Sequence, residues 1–156
     1  MLNNFKKKRI FITGSTGFKG TWLSYILASS GAKVMGYALP QMVNEKSHYN
    51  DLNLKNKMTQ IEGDIRNREE LISAVQKFEP DYVFHLAAQA LVRPSYNDPH
   101  NTFETNVMGS VNILDAVLAT KSVRALIYVT SDKCYENNEW VWGYRENDRL
   151  GGRDPY

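Results

Sequence analysis

Arg9-Ile10-Phe11-Ile12-Thr13-Gly14-Ser15-Thr16-Gly17-Phe18-Lys19-Gly20 is the stretch on which the fold turns. Its first residues are nearly all apolar, as in a parallel strand covered on both faces. Three glycines follow at G-x-x-G-x-x-G spacing, and a helical pattern opens on the last of them. Glycine at such a junction lets the chain turn sharply and brings backbone N–H groups against a pyrophosphate. The dipole of the following helix adds favourable charge. Strand, glycine loop and helix in that order read as the opening of a doubly wound sheet that binds a dinucleotide. The alternative is a tight strand–helix turn with no ligand, and the rest of the chain argues against it.

Short β-rich runs alternate with longer helical patterns from there onward, as in a parallel sheet wrapped by helices. Trp22, Leu23, Ile26 and Leu27 fall on one side of the first helix, and Gly31 supplies its stop. Residues 33–39 read as the second strand. Residues 41–57 are polar and weakly patterned, a loop or a short helix. A third strand is expected over 58–62. A helix over 67–78 has Asn67 as N-cap and Glu69 and Glu70 in its first turn. The fourth strand spans 81–87. A long helix starts at Phe103 and carries Val107, Val111, Leu114 and Val117-Leu118 at steps of three or four, and the fifth strand covers 125–130. Beyond Ser131 the periodicity disappears, and residues 132–156 have the composition of a long functional loop. The expected class is α/β, a doubly wound parallel sheet of Rossmann type. Residues 1–156 form one such domain, truncated after about five strands, with no C-terminal substrate domain in this chain.

The 156 residues suffice for one domain with a real core. Hydrophobic residues make up 42% and charged residues 23%, the balance of a folded rather than a disordered chain. The net charge of +2 comes from well-mixed acids and bases, so no nucleic-acid partner is expected. Cys134 stands alone, which fits a reducing cytosol. No apolar run approaches the roughly 20 residues of a membrane span. The Lys6–Arg9 cluster reads as a solvated lead-in to the first strand, because the apolar stretch after it is too short for a signal peptide. A cytoplasmic protein with no membrane partner and no metal site is expected.

The glycine spacing resembles that of the extended short-chain dehydrogenase/reductase superfamily, and further segments fit it. The resemblance implies that Gly14, Thr16, Gly17, Phe18 and Gly20 cradle the cofactor. Gly63-Asp64-Ile65 follows the third strand, and Asp64 is then expected to bind the adenine amino group beside Ile65. A plain helix-capping aspartate is the alternative there. Leu86-Ala87-Ala88-Gln89 ends the fourth strand with small side chains that let a cofactor lie close to the backbone. Asn106, within Thr105-Asn106-Val107-Met108-Gly109, is expected as an architectural hydrogen-bonder. An acid at the end of the second strand usually selects NAD. Here that place holds Tyr37-Ala38-Leu39-Pro40, the nearest acid is Glu45, and no arginine stands ready for a 2′-phosphate. NAD as cofactor is thus implied by the resemblance alone.

Val129-Thr130-Ser131-Asp132-Lys133-Cys134-Tyr135 ends the fifth strand, where active sites of open α/β sheets are built. Ser131 is the hydroxyl expected near the reacting oxygen. Asp132 is an acid able to protonate a leaving hydroxyl. The Asp132-Lys133 pair, the run from Tyr135 to Glu146, and Gly151-Gly152-Arg153-Asp154-Pro155-Tyr156 closely resemble the CDP-glucose 4,6-dehydratases within the superfamily. Gln89, Leu91-Val92-Arg93 and Ser95-Tyr96 match them too. That resemblance implies Ser131, Asp132, Lys133 and Tyr156 as catalytic residues, and Gln89, Arg93 and Ser131 as contacts to CDP-glucose. Tyr156 would open a Y-x-x-x-K motif and take the C4 hydroxyl proton. Lys133 would act either as base at C5 or as stabiliser of the enolate. The resemblance also implies a homodimer built through the 103–118 helix in the intact protein, and the fragment alone is expected to be inactive. An epimerase, a dehydratase of another nucleotide sugar, or a non-catalytic dinucleotide-binding module are the rival readings.

Overall fold

The computed structural model describes residues 2–41 and 47–156, so Glu45 lies outside the described residues. Five strands form one sheet: β1 (Arg9–Thr13), β2 (Lys33–Ala38), β3 (Thr59–Glu62), β4 (Tyr82–His85) and β5 (Ala125–Tyr128). Their order is β3-β2-β1-β4-β5, and every pairing is parallel. The chain builds outward from β1 to β3, then crosses back to place β4 on β1's other side. That reversal opens a crevice at the carboxyl ends of β1 and β4, where ligands of such sheets bind. The expected doubly wound α/β fold is thus the observed one.

The helices are α1 (Phe18–Ser29), α2 (His48–Asp51), α3 (Arg68–Phe78), α4 (Val92–Asn97), α5 (Pro99–Phe103) and α6 (Gly109–Leu118). A π-helical segment, Glu104–Met108, joins α5 to α6 without a break in helical backbone angles. Asn67 caps α3 as expected, its side chain accepting the Glu70 N–H.

Strand alternation divides the core into two layers. Ile10 and Ile12 of β1 pack with Val34 and Leu27 on the α1 side. Phe11 faces the other way, with Tyr37 and Val83, against Leu71 and Val75 of α3 and Ile113 and Ala116 of α6. All three β1 residues are fully buried, which explains the continuous apolar run. Lys6 and Lys7 are exposed, whereas Arg9 lies over the Phe78 ring at 4.6 Å and donates to the Phe78 carbonyl from Nε at 2.7 Å.

Two local expectations are corrected. The buried face of α1 is Gly20, Thr21, Ser24 and Leu27, while Trp22 and Ile26 are each 42% exposed. A Cβ on Gly20 would collide with the Gly14 carbonyl, so α1 sits close to the loop and small side chains take the inner face. The long helix begins at Pro99 rather than Phe103; its first turn is polar, and hydrophobic periodicity is silent there. The signal was instead Asp98-Pro99, an N-cap that accepts the Asn101 N–H at 3.0 Å followed by a first-turn proline. Helix α4 went unread because Pro94 sits inside it and it has no apolar stripe. In the ambiguous 41–57 stretch, α2 and a 3-10 turn (Leu54–Asn56) form.

Candidate functional site

A cavity of about 630 Å³ opens at the carboxyl ends of the strands. Gly14, Thr16, Gly17, Phe18 and Gly20 line one side of it, and Asp64 and Ile65 another. Leu86, Ala87, Ala88 and Gln89 form its β4 side, and Tyr156, the last residue of the chain, also reaches it. Every cofactor residue read from the sequence therefore lines a single cavity. Lys19, Arg66, Thr105 and Thr130 line it as well and had not been singled out. Lys19 lies inside the glycine loop and Thr130 directly precedes Ser131, so position alone flags those two.

The glycine loop is shaped by contact. Gly14 has φ +68°, and a Cβ there would stand 2.7 Å from the Ala87 nitrogen, so the loop presses against the exit of β4. Gly17, the N-cap of α1, brings no capping side chain, and no acid occupies the first turn. The first N–H groups of a helix have no intrahelical partner. At this 12-residue helix the residues that carry them, Phe18, Lys19 and Gly20, line the cavity beside the loop, and a pyrophosphate fits that donor set.

Asp64 does not cap α3, because Asn67 does. Its carboxylate accepts from the Arg66 backbone N–H at 2.9 Å and from the Arg66 guanidinium. That hydrogen bonding holds the carboxyl below the usual range. Arg66 also reaches Asn101 and Glu104, fastening the loop after β3 to the α5 end of the long helix. Tyr37, at the end of β2, donates to the Asp64 carbonyl at 3.2 Å. Burial first, then the Glu70 and Asp64 charges, push its phenol up to about 12.

Two polar clusters fix the β4 side. Thr13 Oγ1 accepts the Leu86 and Ala87 N–H groups at 3.2 and 3.3 Å. Its hydrogen is then directed to His85 Nδ1 at 2.7 Å, which leaves the His85 proton on Nε2, toward Ser110 Oγ at 3.4 Å. Ser110 donates to the Asn106 carbonyl at 2.5 Å and so accepts from the Tyr128 hydroxyl at 2.6 Å. His85 is 1% exposed, and burial pushes its imidazole down to about 4, so it is neutral. The Asn106 side chain, projecting from the π segment, takes the Gln89 N–H at 2.7 Å and donates to the Gln89 carbonyl at 3.1 Å.

At the end of β5 the sequence-predicted catalytic residues Ser131, Asp132 and Lys133 follow Val129 and Thr130, which line the cavity; the three do not line it themselves. Ser131 Oγ accepts the Lys133 N–H at 3.1 Å and caps a 3-10 turn over Asp132–Cys134. Arg93 lies exposed on α4 and does not line the cavity. Tyr135 stacks on Tyr144 at 5.2 Å, and Trp140 packs between Tyr144 and Trp142, so these aromatics fold the loop on itself. Among the described residues no His/Cys/Asp/Glu group is arranged to hold a metal, and no helix is long and apolar enough to cross a membrane.

Against known proteins, the chain is 49% identical over 154 residues to the CDP-glucose 4,6-dehydratase of Salmonella typhimurium, covering 99% of this chain and 43% of that protein. It is 30% identical to the CDP-paratose 2-epimerase of Salmonella typhi, over 95% of this chain and 48% of the other. The chain thus spans less than half the length of these relatives. Among solved structures, the UDP-glucose 4-epimerase of Thermotoga maritima with UDP-glucose superposes with a TM-score of 0.81 at 28% identity, covering 95% of this chain and 46% of that one. The UDP-glucose 4-epimerase of Brucella ovis in complex with NAD gives 0.80 at 25% identity, over 96% and 43% of the two chains. The glycine loop, the Asp64 corner, the β4 exit and the Tyr156 end all fall within residues 11–156, which match the family described as GDP-mannose 4,6 dehydratase, and to that family this chain belongs.

Proposed function

We propose that this chain is the NAD-binding domain, residues 1–156, of a dehydratase that converts CDP-D-glucose to CDP-4-keto-6-deoxy-D-glucose. The observation that carries the reading is Tyr156 lining the same cavity as the glycine loop, although 136 positions separate it from Gly20 (156 − 20). The Asp132-Lys133 pair and the 49% identity to a CDP-glucose 4,6-dehydratase support CDP-glucose over other nucleotide sugars. The solved Brucella relative in complex with NAD supports that cofactor.

The glycine loop and the N–H groups at the start of α1 would hold the pyrophosphate, Asp64 and Ile65 the adenine, and Leu86 to Gln89 the nicotinamide side. NAD, when bound, supplies a hydride acceptor for C4 and a donor for C6. Tyr156 takes the C4 hydroxyl proton as that carbon is oxidised. The resulting ketone acidifies C5–H, and loss of that proton drives out the C6 hydroxyl, which Asp132 protonates as water leaves. Ser131 would hydrogen-bond the reacting C4 oxygen, and Gln89 and Arg93 would hold the substrate, which then extends past the cavity lining to reach Ser131 and Arg93 outside it. The row Phe103, Val107, Val111, Leu114 and Leu118 stands 41–84% exposed along the long helix and would pack a homodimer.

Epimerisation at C4 is the second reading, because the solved relatives named above are 4-epimerases. The natural full-length protein, given CDP-, UDP-, GDP- and dTDP-glucose in turn, separates the two by mass. Product lighter by one water from CDP-glucose is expected, and product of unchanged mass would establish the epimerase. Replacing Tyr156 by Phe should lower the rate by roughly two to four orders of magnitude.

A further inference from the structure

We propose that Asp154 is a positioning residue for Lys133, holding its ammonium as a fixed cation at the end of β5. The consequence for catalysis rests on the dehydratase reading; the pairing itself does not. A backbone clasp brings the two residues together. Tyr135 and Leu150 form an antiparallel bridge, the Glu136 N–H donates to the Arg149 carbonyl at 2.9 Å, and the Gly151 N–H donates to the Cys134 carbonyl at 2.9 Å. Glu136 and Arg149 add an ion pair at 3.4 Å across the same clasp. Gly152 then passes so close to the Lys133 carbonyl that a Cβ there would stand 3.0 Å from it.

The chain emerging from this clasp sets the Asp154 carboxylate 3.7 Å from Lys133 Nζ. The Asp154 side chain is only 10% exposed, and its Oδ1 has no hydrogen-bond partner among the described residues. A carboxylate so buried needs a countercharge, and Lys133 stands beside it. A neutral lysine would leave that charge uncompensated. Lys133 does not line the cavity itself; paired with Asp154 it is held as an ammonium just past the cavity-lining Val129 and Thr130. On the dehydratase reading it would stabilise negative charge on the C4 oxygen of the enolate formed when C5 loses its proton. Tyr156 lies two residues beyond Asp154, so the same clasp also sets where the chain enters the cavity.

Amine acylation read by peptide mass spectrometry tests the pair without substrate or cofactor. In the natural full-length protein, Asp154→Asn should speed acylation of Lys133 by about two- to fivefold, the range for a partly exposed ion pair. Asp154→Glu, which keeps the carboxylate, should stay near the wild-type rate. An unchanged rate in Asp154→Asn overturns the proposal. Kinetics then test the role. Asp154→Asn should lower kcat by roughly ten- to a hundredfold with little change in KM, and in a Lys133→Gln background the same substitution should cost almost nothing more. Losses that multiply in the double variant would show a merely structural Asp154 and overturn the role. A protein that acts on no nucleotide sugar at all would sink the dehydratase reading, while the acylation rates would still decide the pair.

Discussion

Replacing Asn106 by alanine probes how the β4 side of the cavity is held. The Asn106 amide makes two hydrogen bonds to the Gln89 backbone, at 2.7 Å to the N–H and 3.1 Å to the carbonyl. Each such bond contributes about 1 kcal/mol net, and leaving the part-buried Gln89 backbone without its partners adds up to about 1 kcal/mol more in total. The Gln89 side chain stays anchored through the Leu91 N–H and Thr102, so the segment loosens without unravelling. The summed loss is therefore about 2–3 kcal/mol. With a urea m-value of about 2 kcal/mol/M for a domain of this size, the unfolding midpoint should fall by roughly 1 M. Asn106→Asp should cost a similar amount, since it keeps the acceptor but turns an oxygen toward the Gln89 carbonyl. Both variants should also bind NAD more weakly, because Leu86 to Gln89 shape the cavity. A midpoint shift for Asn106→Ala below roughly 0.3 M, with NAD affinity unchanged, would refute this account.

Other consequences are as direct. His85 is buried neutral with its imidazole lowered from 6.5 to about 4, so the unfolded chain binds the proton more readily. Its contribution to stability is complete above about pH 6.5 and is lost as pH falls toward about 4, at up to 1.4 kcal/mol per pH unit. Urea unfolding measured across that window should show this slope, and His85→Gln should flatten it. Gly20→Ala forces a methyl group into the Gly14 carbonyl, so a fall in stability of about 1–3 kcal/mol is expected, together with loss of NAD binding by calorimetry. A wild-type-like melt and affinity would contradict the close packing of α1 on the loop. Leu114→Glu, placed in the exposed apolar row, should shift the full-length protein from dimer toward monomer in sedimentation; an unchanged dimer would put the interface elsewhere.

Much of the fold was legible because its signals are local. The β1 run is apolar on both faces because Ile10 and Ile12 face one helical layer and Phe11 the other. Asn67 reads as an N-cap because an amide followed by two glutamates satisfies and charges the first turn. Helix faces were harder to read. Periodicity gave α1 a stripe through Trp22 and Ile26, but close approach to the glycine loop selected the small residues Thr21 and Ser24 instead. The polar first turn of the long helix carries no hydrophobic signal, although Asp98-Pro99 marks it. In the site, the glycine loop was readable from its place between a strand and a helix, whereas Asp64 and the Leu86–Gln89 exit were expected from the resemblance. The Thr13–His85–Ser110–Tyr128 chain was not, since its members come from four separate elements and meet only when the sheet forms. The Lys133–Asp154 pair stayed hidden for a similar reason: 21 positions of unpatterned chain separate its members (154 − 133), and only the clasp joins them.

The central claim is dehydration of CDP-glucose with internal return of hydrogen. The most direct test gives the natural full-length protein CDP-glucose carrying deuterium at C4, with NAD, and reads the product by mass spectrometry and NMR. The account predicts a 4-keto-6-deoxy sugar that has lost one water and carries the deuterium at C6. A product of unchanged mass with its deuterium still at C4 would contradict it and make the protein an epimerase.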